Sequence, residues 1–294
     1  MGDSTVEVAL HVHARHAEGP LWDAATARLW WVDIAGTRVH CFDPSTGRDE
    51  AWTVAGEPGG VVLDGEGAPI VAMPEGLAAL DRTTGAAALV VPIERERPEN
   101  RANDAKVDRR GRLWVGTMPY DKRPAHAALY RVDQGAVTRM VDGLTISNGP
   151  AIDEDRQRLY LADTALGRVD VFDLDPAAGM LSGRRRFLDV RQDGWWPDGM
   201  TVDDDGTLWV ALGRAGAVRG YRPDGAFVAS IELPTTHPTS VAFGGVDGRD
   251  LYITTSYVDV PAERRPGEPL AGAIFRCRPG VRGPASPRYR RAST

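Results

Sequence analysis

The chain holds only two cysteines in 294 residues, Cys41 and Cys277, too few for the disulfide framework on which small exported domains depend. Both fall in strand-like runs, TRVHCFD and AIFRCRP, and read as buried free thiols. Basic charge is also short: 35 Lys and Arg against 41 Asp and Glu leave a formal charge of −6. Nucleic acid and anionic membrane surfaces both call for a basic face, so neither is an expected partner. No stretch approaches the roughly 18 apolar residues of a membrane-spanning helix. The start, MGDSTVEVALHVHARH, lacks a basic segment followed by a long apolar run, which predicts a soluble, cytoplasmic protein. Helical periodicity is missing too, since no window of about 11 residues carries a persuasive apolar stripe. There is no GxSxG elbow, no HExxH, no P-loop and no GxGxxG between a strand and a helix.

What is present is a repeat. Short alternating runs such as ARLWWVDI, GRLWVGTM, QRLYLADT, GTLWVAL and RDLYITTS are separated by turn formers such as DPSTG, DRTTG, DPAAG and RPDG. This pattern predicts an all-β chain of tight hairpins. The stretch Asn100 to Met118, NRANDAKVDRRGRLWVGTM, supplies a template in which Asn103 precedes Asp108. The same phase recurs in EGPLWD (Glu18 to Asp23), GGVVLD (Gly59 to Asp64), NGPAID (Asn148 to Asp153), DGMTVD (Asp198 to Asp203) and TSVAFG (Thr239 to Gly244). Six repeats of four short antiparallel strands predict a single six-bladed β-propeller spanning 1–294. The spare segment Val6 to Val12 is placed to complete the last blade as a clasp between the termini. The Arg-, Pro- and Gly-rich end, about 285–294, reads as a solvated, flexible tail. Two insertions, PYDKRPAHAA after Met118 and YVDVPAERRPGEPLAG after Ser256, lengthen connections inside a blade.

In a propeller the innermost strand of each blade lines the central channel. Six blades would therefore deliver Glu18, Gly59, Asn103, Asn148, Asp198 and Thr239 to one ring at a channel mouth. Two carboxylates and two amides converging in a partly desolvated mouth repel one another unless a cation sits among them. Oxygen-only ligands favour a hard divalent ion, calcium first, then magnesium or manganese, with zinc less suited. The aspartates at the end of each unit, Asp23, Asp64, Asp108, Asp153 and Asp203, precede turn residues and are assigned to hairpins. Asp104, next to Asn103, reads as structural. His237 reads as a solvent-facing loop residue. Trp195 and Trp196 fit either a pocket wall or ordinary packing.

The motifs EGPLW, NRxNDxKVDxxGRLWVGTM, ISNG, PDGMTVDxxGTLWVA and AGAIFR occur in order from about Glu18 to Tyr289. In this the chain resembles the regucalcin (senescence marker protein), gluconolactonase and luciferin-regenerating enzyme family. The resemblance implies a six-bladed propeller with one divalent metal in the channel, held by Glu18, Asn148 and Asp198. It implies that Arg101 and Asn103 contact substrate hydroxyls and that an acidic lid contact falls at Asp121, where the animal regucalcins have Glu. The implied activity is hydrolysis of a sugar lactone to its acid, with Asp198 either the general base or the residue that orients the water. Hydrolysis of a phosphoester, organophosphate or other ester on the same scaffold, or a non-enzymatic calcium-binding propeller, are the alternative functions. Neither a monomer nor a small homo-oligomer is favoured by the sequence.

Overall fold

A computed structural model describes residues 5–292. It contains six four-stranded antiparallel sheets, and in five of them the strands follow chain order. The blades span 17–53, 60–92, 100–144, 147–189, 196–232 and 238–277. In the sixth, the N-terminal strand Glu7–Leu10 pairs with Ile274–Cys277 as the outermost strand. The expected clasp is thus present.

The middle strands form because Trp, Leu, Val and Tyr alternate in them and fill the spaces between blades. Arg28–Asp33, RLWWVD, is buried from Leu29 onward, and Leu113–Pro119, LWVGTMP, is buried throughout. One inter-blade layer joins Trp30, Val32 and Val39 of the first blade to Val61, Val71 and Leu80 of the second. The two cysteines are buried and free. Burial pushes the Cys41 thiol up to about 11.

Each first strand packs against the first strands of the two neighbouring blades, which closes the ring around a channel. The hairpin assignment of the unit-end aspartates holds. The Asp108 carboxylate accepts from the Arg110 and Arg112 amides at 3.0 and 2.9 Å, and from the Trp114 indole at 3.0 Å. Asp203 repeats the arrangement with the Thr207 amide and the Trp209 indole.

The C-terminal end differs from the solvated tail expected. Tyr289 is buried, and its amide donates to the Leu63 carbonyl at 2.8 Å. Arg288 pairs with Asp23, Arg290 with Asp133 at 2.9 Å, and Arg291 with Asp64 at 3.3 Å. The arginines that suggested solvation instead find turn and strand-end aspartates of the first three blades. Residues 284–287 line a cavity of about 120 Å³ at this end of the channel. The strap therefore covers the mouth opposite the Glu18–Asp198 ring.

Candidate active site

A cavity of about 340 Å³ opens at the ring end of the channel, and Glu18, Arg101, Asn103, Asn148 and Asp198 all line it. Five of the six ring residues lie within the first strands, and Gly59 stands just ahead of Gly60–Leu63. Register slips at or beside them in five blades: between Glu18 and Leu21, Ala102 and Asp104, Asn148 and Ala151, Pro197 and Met200, and Pro238 and Ser240. A bulge frees residues from the ladder and re-aims their side chains. Gly149, following Asn148, has φ of +76°, which a residue with a Cβ adopts only at a cost. Gly59, the second blade's member, can carry no side chain: a Cβ there would lie 2.5 Å from the Ala102 carbonyl oxygen.

A directed chain of hydrogen bonds orients the amides. Arg101 Nη1 donates to Asn103 Oδ1 at 3.0 Å. Asn103 Nδ2 donates to Asn148 Oδ1 at 2.8 Å and to the Ser147 carbonyl at 2.9 Å. Asn148 Nδ2 then donates to Thr164 Oγ1 at 2.7 Å, and that hydroxyl donates to the Pro197 carbonyl at 2.7 Å, next to Asp198. Both Asn103 donors are spent, so it has only carbonyl lone-pair capacity left for a ligand. Arg101 also donates from Nη1 to the Ala102 carbonyl and pairs through Nε with Glu57 at 3.2 Å, which leaves Nη2 for the cavity.

Glu18 is 2% exposed, whereas Asp198 keeps part of its surface on the cavity. Glu18 Oε2 accepts from the Gly19 amide at 2.7 Å. Burial first, then the Asp104 charge, pushes Glu18 up to about 7. Burial, then the Glu18 charge, holds Asp198 well above the carboxylate range. Among the described residues neither has an ion-pair partner, and no three His, Cys, Asp or Glu side chains cluster into a metal site. The third donor is an amide: Asn148 Oδ1, with one lone pair held by Asn103, has the other free. Two uncompensated carboxylates and a fixed amide oxygen form a donor set that suits a hard divalent cation.

The family described as SMP-30/Gluconolactonase/LRE-like region matches residues 16–257. The chain belongs to this family. A pentonolactonase from Haloferax volcanii is 35% identical over 281 residues, covering 92% of this chain and 94% of the relative. A regucalcin from Xenopus laevis is 31% identical, covering 94% and 95%. Among solved structures, a calcium-binding regucalcin from Agrobacterium tumefaciens superposes with a TM-score of 0.92 at 28% identity, covering 98% of each chain. A luciferin-regenerating enzyme superposes with a TM-score of 0.90 at 27% identity, covering 98% of this chain and 99% of the other.

Against the expectations drawn from the SMP-30/gluconolactonase resemblance, one residue falls outside the cavity. Asp121 does not line it; its carboxylate accepts from the Arg123 amide at 3.1 Å and pairs with the Arg123 guanidinium at 2.9 Å. Lys122, the next residue, lines the cavity instead. The reason is local: Arg123 is close enough to capture the short Asp side chain.

The insertion after Ser256 supplies Val258 and Asp259 to the cavity wall. Asp259 pairs with His16 Nδ1 at 2.9 Å, and Ser256 Oγ lies 3.1 Å from the same nitrogen. The repeat phase could not select His16 or Asp259, because their meeting joins the first blade to the last. Trp196 walls the cavity, while Trp195 packs into the core with the Arg219 guanidinium 4.1 Å from its ring centre. His237 is buried rather than solvent-facing: its ring meets Trp196 edge-on at 5.8 Å, and Nδ1 lies 3.0 Å from Thr236 Oγ1. Asp104 is structural, accepting from the Gly149 amide at 3.1 Å and so tying the third blade to the fourth.

Proposed function

We propose that this protein hydrolyses a sugar lactone to its acid with the help of one divalent cation, calcium being the ion that best suits the site. The reading rests above all on buried Glu18 and half-buried Asp198, two carboxylates without a cationic partner, converging with the oriented Asn148 amide at the floor of a sugar-sized cavity. The names of relatives support it: a pentonolactonase, and putative sugar lactone lactonases from Bacillus subtilis and Rhizobium meliloti.

Glu18, Asn148 and Asp198 would hold the ion. When bound, it stabilises the negative charge that develops on the lactone carbonyl oxygen. Arg101, through Nη2, donates to a ring hydroxyl and turns the carbonyl toward the floor. Asn103 acts mainly on Asn148, whose oxygen it orients. Asp198 orients the attacking water and accepts its proton as the new C–O bond forms. Collapse of the tetrahedral adduct breaks the endocyclic C–O bond, and the ring oxygen leaves as a hydroxyl with that proton.

The test follows acid release from glucono-, xylono-, galactono- and arabinono-lactones by pH indicator, with spontaneous hydrolysis subtracted. The metal-loaded protein is expected to open at least one of them, and Asp198→Ala to lower that rate by about 100-fold or more. Turnover of simple phosphoesters with every lactone inert would overturn the reading.

A further inference from the structure

The loop that follows Leu113–Pro119 carries Asp121, Lys122 and Arg123 side by side, and only Lys122 lines the cavity. The loop is pinned at its root, where the Tyr120 amide donates to the Glu99 carbonyl at 2.9 Å. It then folds tightly, the Lys122 amide donating to the Pro119 carbonyl at 3.0 Å. Lys122 sits at φ +56°, a left-handed conformation that costs a non-glycine residue roughly 1 kcal/mol. The loop thus holds this side chain at the cavity rim in a conformation it would not choose alone.

The charges around the cavity pair off with one exception. Arg101 is matched by Glu57 at 3.2 Å and His16 by Asp259 at 2.9 Å. Asp121 and Arg123 satisfy each other outside it. In the reading above, Glu18 and Asp198 are balanced by the dication. Among the described residues Lys122 is the one lining cation with no carboxylate partner, so one positive charge remains, at the rim.

We infer that Lys122 is a specificity residue, selecting lactones that bear an anionic group, carboxylate or phosphate, on the arm remote from the ring carbonyl. This inference rests on the lactonase reading. With the carbonyl turned to the floor by Arg101, a substituent arm reaches the rim. A neutral arm leaves the ammonium in water, whereas an anionic one forms an ion pair. A partly exposed pair is worth about fivefold in binding at most. The contact is equal in ground and transition states, so it acts on KM rather than kcat.

The experiment uses the full-length, metal-loaded protein with glucono-lactone, its carbon-6 carboxylate relative (a glucaro-lactone) and its carbon-6 phosphate ester. Wild type is expected to show kcat/KM about fivefold higher on an anionic substrate than on the neutral one. Lys122→Gln should remove that preference through KM while leaving the neutral substrate unchanged, and Lys122→Arg should keep it. Rising salt should shrink the preference. A preference for the phosphate alone or the carboxylate alone names the group. Equal efficiency on all three, or a Lys122→Gln loss that is the same on all three, overturns the inference while the lactonase reading stands. Inertness of all three together with every neutral lactone overturns both.

Discussion

Asn103 of the third blade donates from Nδ2 to Oδ1 of Asn148 in the fourth at 2.8 Å, fixing which face of the Asn148 amide meets the cavity. Asn103→Ala removes that donor and one to the Ser147 carbonyl. The variant should stay folded and lose about 1 to 3 kcal/mol, the range for stranding buried acceptors. Its calcium affinity should fall as the Asn148 oxygen loses its fixed direction. Calorimetric titration of wild type and variant checks this, and unchanged affinity would show that Asn103 does not position the amide.

A pH dependence follows from Glu18, raised from its ordinary 4.5 to about 7. Between those values the folded, metal-stripped protein holds a proton that the unfolded chain has lost. Stability should therefore fall as pH rises from about 4.5 to about 7. A dication requires ionised carboxylates, so its affinity should climb through the same window, with proton release on binding. The gain in Tm on adding calcium should be clearly larger at pH 8 than at pH 5. An equal gain at both would count against Glu18 as a ligand.

Tyr289 supplies a test of the C-terminal strap. It is 1% exposed and packed with Val62, Ile70, Val107 and Leu113. Tyr289→Ala should cost about 3 kcal/mol, as other large buried aromatic truncations do. Denaturant unfolding measures it. A change within about 0.5 kcal/mol is what a solvated tail would give.

The repeat and the ring were legible because both depend on phase. In Leu113–Pro119 and Arg28–Asp33 every turn of the pleat carries a large apolar residue, and such runs stand out. The first strands do not: Trp196–Val202, WPDGMTV, contains Pro and Gly and is bulged to present Asp198. Outer strands such as Met180–Asp189 are largely exposed and charged. Glu18, Asn103, Asn148 and Asp198 could be found because each blade delivers one residue at one position, whereas the choice of Glu18, Asn148 and Asp198 as ligands rests on the family resemblance. Lys122, His16 and Asp259 could not, since loop conformation and contact between the first and last blades decide where they point. His237 and Tyr289 look polar in a linear reading, and only packing against Trp196 and Val62 respectively buries them.

On the proposed function, lactone opening depends on a cation held by Glu18, Asn148 and Asp198. The most direct measurement is the initial rate of lactone hydrolysis by chelator-stripped protein as free calcium is raised, with Glu18→Gln beside wild type. Wild type should go from near the spontaneous rate to a saturated rate with a single binding isotherm. Glu18→Gln should need far more calcium or fail to respond. A stripped protein that turns over lactone at full rate, or a variant whose calcium response matches wild type, would contradict that dependence.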